Sequence, residues 1–158
     1  MMRHDVGIGD IRVAPSGEEI KTYALGSCVA LVVWDRVVKS GGMIHIALPD
    51  GQINPEKAKQ KPGYFADTGL PVLFAELKRV GANRNSCWVK LVGGASILDE
   101  NNTFDIGRRN TLAVKKYLWK IGLALTSEDT GGTISRTVSL SVATGELKIT
   151  NGNQCWTL

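Results

Sequence analysis

The chain has 158 residues, of which 43% are hydrophobic and 22% charged, with a formal net charge of +4. That length and balance suit one globular domain over residues 1–158, with a core that needs no disulfide staples. The basic residues are scattered, and no arginine-rich block carries interleaved aromatics, which argues against nucleic-acid binding; Lys57, Lys59 and Lys61 form one local basic run that reads as a solvated loop.

Met1 to Asp10 is polar and broken by glycine, so no secretory leader is expected and the first residues are expected to fray. Val6 to Val13 alternates roughly as a strand does, and Ile20 to Leu25 predicts a second strand leading into Gly26-Ser27-Cys28. Val29 to Trp34 is a continuous apolar run, the pattern of a strand buried on both faces. After a turn region over Asp35 to Gly42, Met43 to Leu48 predicts another strand. Its period of two puts Ile44, Ile46 and Leu48 on one face and Met43, His45 and Ala47 on the other.

Pro49 to Gly63 is rich in turn residues and reads as a long loop. A helix is predicted from about Thr68 to Val80, with Asp67 or Thr68 as cap, Pro71 in the first turn and Gly81 as stop. Trp88 to Val92 predicts a strand ending at Gly93-Gly94, and a second helix covers about Gly107 to Ile121 before Gly122. Its apolar stripe is Ala113, Val114, Tyr117, Leu118 and Ile121. Leu123 to Thr126, Ile134 to Val142 and Leu147 to Thr150 predict strands, the last two joined by a hairpin turn at Ala143 to Glu146. The sum is an α+β domain with strands at both ends and two helices between them.

No apolar run reaches the length of a membrane span, so no membrane insertion is expected. The three cysteines, Cys28, Cys87 and Cys155, are odd in number and lack C-x-x-C spacing, which points to reduced thiols and a cytoplasmic setting. Cys87 reads as a small core side chain and Cys155 as part of a mobile tail. Cys28 follows a glycine at the mouth of a buried strand. That place suits a nucleophile, with Gly26 and Ser27 as candidates for positioning substrate or an oxyanion, and it also suits a core thiol. Of the two histidines, His4 lies near the N-terminus and His45 faces away from the aliphatic stripe, so His45 is the natural base if Cys28 needs one. Its plain alternative is a hydrogen-bonded structural histidine. A zinc site built from Cys28, His45, Cys87 and Cys155 matches no familiar spacing, and neither metal nor cofactor is expected. The glycine pairs fit no phosphate-loop pattern, and no G-x-S-x-G is present.

A chain-wide resemblance narrows these alternatives. Leu25-Gly26-Ser27-Cys28-Val29, Gly41-Gly42-Met43-Ile44-His45 and Leu48-Pro49 are followed in order by Phe65-Ala66-Asp67-Thr68 and Val92-Gly93-Gly94-Ala95. Asp105-Ile106-Gly107-Arg108-Arg109-Asn110, Glu128-Asp129-Thr130-Gly131-Gly132 and Thr144-Gly145-Glu146 complete the set. Together they resemble the CheD family. The resemblance implies a protein-glutamine glutaminase that deamidates glutamines of methyl-accepting chemotaxis receptors, releasing ammonia through a cysteine thioester. It implies Cys28 as nucleophile, His45 as acid–base partner and Thr22 as the residue that orients the imidazole. It also implies a β-sandwich-like core of mixed sheets with outer helices, similar to the catalytic domain of deamidating bacterial toxins, and a CheC-type phosphatase as a partner in some bacteria. The alternatives are a non-catalytic adaptor that binds receptor or phosphatase, and a thiol hydrolase of small amides. A protonated His45 beside Cys28 would favour the thiolate and lower its pKa.

Overall fold

The computed structural model describes residues 1–97 and 104–158. Among these, ten strands form two five-stranded sheets. The first orders β1 (Arg3–Asp5), β3 (Glu19–Leu25), β8 (Arg136–Ser141), β9 (Glu146–Asn151) and β10 (Gln154–Thr157). The second orders β2 (Ile11–Pro15), β5 (Ser40–Ile46), β4 (Val29–Asp35), β6 (Cys87–Gly93) and β7 (Ser127–Thr130). The helices are α1 (Pro55–Gln60), α2 (Ala66–Arg79) and α3 (Ile106–Lys120). Both sheets are mixed, since β1 runs parallel to β3 and β7 parallel to β6 while the other pairs are antiparallel.

Hydrophobic burial stacks these elements in three layers. Ile20, Leu25, Val138 and Leu140 of the first sheet meet Ala30, Val32, Met43 and Val92 of the second in one apolar cluster. The opposite face of the second sheet, with Leu31, Val33, Ile44 and Ile46, packs on Leu70, Leu73 and Leu77 of α2 and on Val114 and Leu118 of α3. Strands β4 and β5 are therefore buried along their whole length. Each large aliphatic side chain fully buried there contributes about 1.5–3 kcal/mol. The alternation read along Met43 to Ile46 holds: Met43 and His45 face the other sheet, while Ile44 and Ile46 face the helices.

Several expectations need correction. Helix α2 starts at Ala66, with Phe65 at its N-cap and no side-chain cap bond. Asp67 and Thr68 tie down the preceding segment instead: Asp67 accepts from the Gly51 N–H at 2.8 Å and the Thr68 hydroxyl donates to the Pro62 carbonyl at 2.6 Å. The region read as a loop holds α1 between single 3-10 turns at Gly51–Ile53 and Pro62–Tyr64. Lys57 lies over the Tyr64 ring and Lys61 pairs with Asp10, so that basic run is partly engaged.

The strand expected over Leu123 to Thr126 begins only at Ser127, because Leu123 and Leu125 pack on the helix-side cluster without joining a ladder. Both chain ends are ordered. His4 sits in β1 with Nε2 2.7 Å from the Glu18 carboxylate, and Cys155 sits in β10 paired with β9. Strands of three or four residues are too short to show a period, which is why sequence pattern missed them.

Candidate active site

The site lies where the two sheets meet. In β3 the alternation that turns Ile20 and Thr22 inward is interrupted by a register shift between Thr22 and Leu25. Ala24 takes a left-handed φ of 50° there, a conformation that a non-glycine residue adopts only when its surroundings enforce it. The bulge leaves Thr22 and Leu25 both buried and Tyr23 exposed. Thr22 thereby reaches across to His45 of β5, with 2.7 Å between its hydroxyl and the ring Nδ1.

The same hydroxyl is 2.6 Å from the Val6 carbonyl. A carbonyl can only accept, so the single hydroxyl proton goes to Val6. The threonine oxygen is then left to accept from His45, which fixes the proton of the neutral ring on Nδ1 and the lone pair on Nε2. Nε2 is buried and has no partner among the described residues. The backbone holds the ring's base firmly: the His45 N–H donates to the Asp10 carbonyl at 3.2 Å and its carbonyl accepts from Gly9 at 2.7 Å.

Cys28 precedes β4, is half-buried and packs against the inter-sheet cluster. His45 pairs with Ala30, two residues after Cys28, so the cysteine lies on the same face as a diagonal neighbour. Diagonal positions on paired strands are about 7–8 Å apart at the backbone, within reach of long side chains. The carbonyls around the thiol are all occupied. Gly26 accepts from the Ala95 N–H at 2.8 Å, Ser27 from the Asn110 amide at 2.9 Å and Cys28 from the Gly94 N–H at 2.9 Å. The N–H groups of Ser27 and Cys28 meet no backbone acceptor among the described residues. Beside them opens a mostly apolar groove of about 470 Å³, lined by Ala24, Gly26, Ser27, Ile97, Phe104 and Ile106 among others. A larger cavity of about 680 Å³ lies across the second sheet, among Phe74, Leu77, Cys87 and Tyr117, away from Cys28.

Glycines set how closely α3 approaches this loop. Gly93 and Gly94 have φ of 112° and 66°. A side chain on Gly93 would collide with the Cys28 carbonyl, and one on Gly107 with the Gly94 carbonyl. The start of α3 therefore rests on the Gly93-Gly94 turn, and Asn110, one turn further on, is completely buried.

Electrostatics favour a neutral pair. Burial raises the Cys28 thiol pKa, and burial pushes His45 down to about 4 against smaller opposing effects of Asp10 and Val6. Both shifts oppose the imidazolium–thiolate pair expected from sequence. Desolvation disfavours each charge more than the surroundings support it.

Thr22 and His45 are in hydrogen-bond contact, Cys28 lies on the same sheet face with no hydrogen bond to the ring among the described residues, and Gly26 and Ser27 border the groove beside the cysteine loop. Cys87 packs on the helix-side cluster, where burial and then the neighbouring Asp35 raise its thiol pKa to about 11, and Cys155 is exposed. Sequence reasoning assigned no part to the Val6 carbonyl or to Asn110. The first carries no side-chain signal. The second could have been found: position 110 falls on the buried stripe of α3 with Gly107, Val114 and Leu118, where a polar residue is out of pattern.

The family described as CheD chemotactic sensory transduction matches residues 47–151. A protein of Syntrophotalea carbinolica named probable chemoreceptor glutamine deamidase CheD is 49% identical over 147 residues, covering 91% of each chain. The chain belongs to the CheD family. A Syntrophus aciditrophicus relative named probable chemoreceptor glutamine deamidase CheD 1 is 46% identical, covering 90% of this chain and 89% of its own. The Methanococcus maripaludis strain C6 relative, also named probable chemoreceptor glutamine deamidase CheD, is 42% identical and covers 97% of both. The family match of this CheD chain begins at Ala47, so Thr22, Cys28 and His45 precede it, whereas Gly93, Gly94, Gly107 and Asn110 fall inside it. No helix among the described residues is long and apolar enough to cross a membrane.

Proposed function

We propose that this chain is a protein-glutamine glutaminase acting on chemoreceptors, with Cys28 as nucleophile, His45 as general base and acid, and Thr22 as the group that orients the imidazole. The observation that carries this reading is the histidine whose tautomer is fixed by Thr22 and whose lone-paired Nε2 is uncommitted among the described residues, on the same sheet face as a cysteine at a strand mouth. The relatives' names supply the substrate class.

Starting from a neutral thiol and a neutral imidazole, Nε2 takes the thiol proton as sulfur attacks the carboxamide carbon of a receptor glutamine. The new C–S bond leaves an oxyanion facing the N–H groups of Ser27 and Cys28, beside Gly26. Collapse breaks the C–N bond, and the imidazolium gives its proton to the departing nitrogen, releasing ammonia. Water then loses a proton to Nε2 and attacks the thioester. The C–S bond breaks, sulfur recovers the proton, and glutamate remains on the receptor. Thr22 stabilises the transient imidazolium by accepting from Nδ1, while its own proton stays on Val6. No cofactor or metal takes part.

The groove bordered by Ile97 and Phe104, which are 38% and 72% exposed, would receive the apolar residues flanking the glutamine on a receptor helix. A CheC-type phosphatase would compete for that surface. The reaction takes place in the cytoplasm, where receptor signalling regions are found, and the two-sheet domain with outer helices would share its layout with deamidating toxins. The test is a glutamine-bearing receptor fragment assayed for ammonia and for a mass gain of about 1 Da per site, the signature of nucleophilic amide hydrolysis. Wild-type protein should release ammonia and Cys28→Ala should not; equal turnover by the two would refute the assignment.

A further inference from the structure

We infer that Asn110 is a positioning residue that splices the cysteine loop to the histidine strand. This rests on the reading of Cys28 and His45 given above. The Asn110 side chain is wholly buried, and its single amide nitrogen donates to the Ser27 carbonyl at 2.9 Å and to the Ala47 carbonyl at 3.0 Å. Ser27 immediately precedes Cys28, and Ala47 follows His45 by two residues. Both carbonyls lie at the ends of the β4–β5 ladder, which pairs Val29 with Ile46 and stops there. Beyond that point no ladder bond ties the two segments together. The amide replaces one, and α3 brings it there.

The orientation of the amide is fixed by chemistry. Turned over, its oxygen would face two carbonyl oxygens and repel both. In the orientation present, Oδ1 is left buried with no partner among the described residues. A site that needed only filling would take an apolar side chain, since a half-satisfied buried amide is a poorer core element than a hydrocarbon. The geometry around it is equally specific: Gly93, Gly94 and Gly107 together allow α3 to come close enough for the short asparagine side chain to span both segments. Asn110 makes its hydrogen bonds to neither the thiol nor the ring. It sets their separation by holding the chain just before one and just after the other.

The experiment compares Asn110→Leu and Asn110→Ser with wild type in the receptor-fragment assay, alongside thermal melting. Leucine keeps the branched outline, is somewhat larger and removes both donors. Serine is smaller, keeps one donor and is the variant more able to fold. A displacement of about 1 Å at the reacting groups reduces turnover by about 100-fold. The expected result is a folded variant with kcat lowered about 100-fold for leucine and less for serine, and with KM within about threefold of wild type, because most of the groove's lining lies outside the two segments that Asn110 holds. A folded variant with wild-type kcat overturns the inference, and so does a loss confined to KM. Failure of the underlying reading looks different: there wild type itself is inactive, or Cys28→Ala turns over normally. If neither variant folds, wild type decides. Both side-chain amide protons of Asn110 should be protected from hydrogen exchange by the two carbonyls, and rapid exchange of either would remove the splice.

Discussion

Two buried polar centres in this molecule differ in how completely they are satisfied. Asp35, at the end of β4, is fully buried and accepts from the Val37, Val38 and Asn83 N–H groups, the Ser86 hydroxyl and the Cys87 thiol. Those donors outweigh desolvation and hold its carboxyl at about 2. His45, on the neighbouring strand β5 five residues after the Ser40 that pairs with Asp35, is fixed through Nδ1 alone and keeps Nε2 without a partner among the described residues. A group whose task is to hold a turn together is saturated. A group proposed to move protons must leave one atom available, and burial without that last bond drives its pKa down to about 4.

The comparison can be broken most directly at its two centres. His45→Gln should lower receptor deamidation by about 100-fold to 10,000-fold, the usual contribution of a general base, with little change in melting temperature. Asp35→Ala should do the reverse. It strands several buried donors and should destabilise the fold by about 3–5 kcal/mol, while the protein that remains folded keeps its kcat. Denaturant unfolding together with single-turnover ammonia release separates the two outcomes. A His45 variant that loses stability and keeps turnover would erase the distinction.

The pH dependence sharpens it. The folded pKa of His45, about 4, lies below its ordinary value of 6.5. Between those values the unfolded chain binds a proton that the native state refuses, so stability falls as pH drops from 6.5 towards 4, by about 3 kcal/mol at most. Asp35 contributes stability above 3.8 that is lost as pH falls towards 2. Unfolding curves of wild type and His45→Phe should therefore diverge in the upper window and run parallel in the lower one. For catalysis, the acid limb of kcat/KM should fall well below pH 6.5, because the base stays unprotonated until then.

Thr22→Val should cost about tenfold in kcat, the worth of one hydrogen bond of about 1.4 kcal/mol at most, and Thr22→Ser should restore most of it. The smallest effect is in thiol labelling. Exposed Cys155 should react with iodoacetamide first, half-buried Cys28 more slowly, and Cys87, bound to Asp35 with its pKa at about 11, last. Mass spectrometry of timed samples gives the order, and Cys87 ahead of Cys28 would contradict the polarity assigned to the two thiols.

Much of this was legible in the chain. Period-two alternation put His45 on the face away from Ile44 and Ile46, and the unbroken run from Val29 to Trp34 marked β4 as buried on both sides. The stripes and stop glycines of α2 and α3 gave those helices to within two residues. Short strands at both ends were not legible, because three or four residues carry no period. Nor was the bulge at Ala24, since alanine gives no sign of a left-handed backbone.

By itself, then, sequence determined which side chains could do chemistry and on which face of its strand His45 would lie, because those properties depend on residue type and local periodicity. Tertiary structure decided what surrounds them. The tautomer of His45 depends on a carbonyl at Val6 and a hydroxyl at Thr22 brought in from a different sheet. The opposing pKa shifts of Cys28 and His45 come from burial, and the bridge between their segments depends on an asparagine delivered by a helix more than sixty residues further along the chain. Hydrogen-bond direction and desolvation are set by neighbours in space, and no local pattern encodes them.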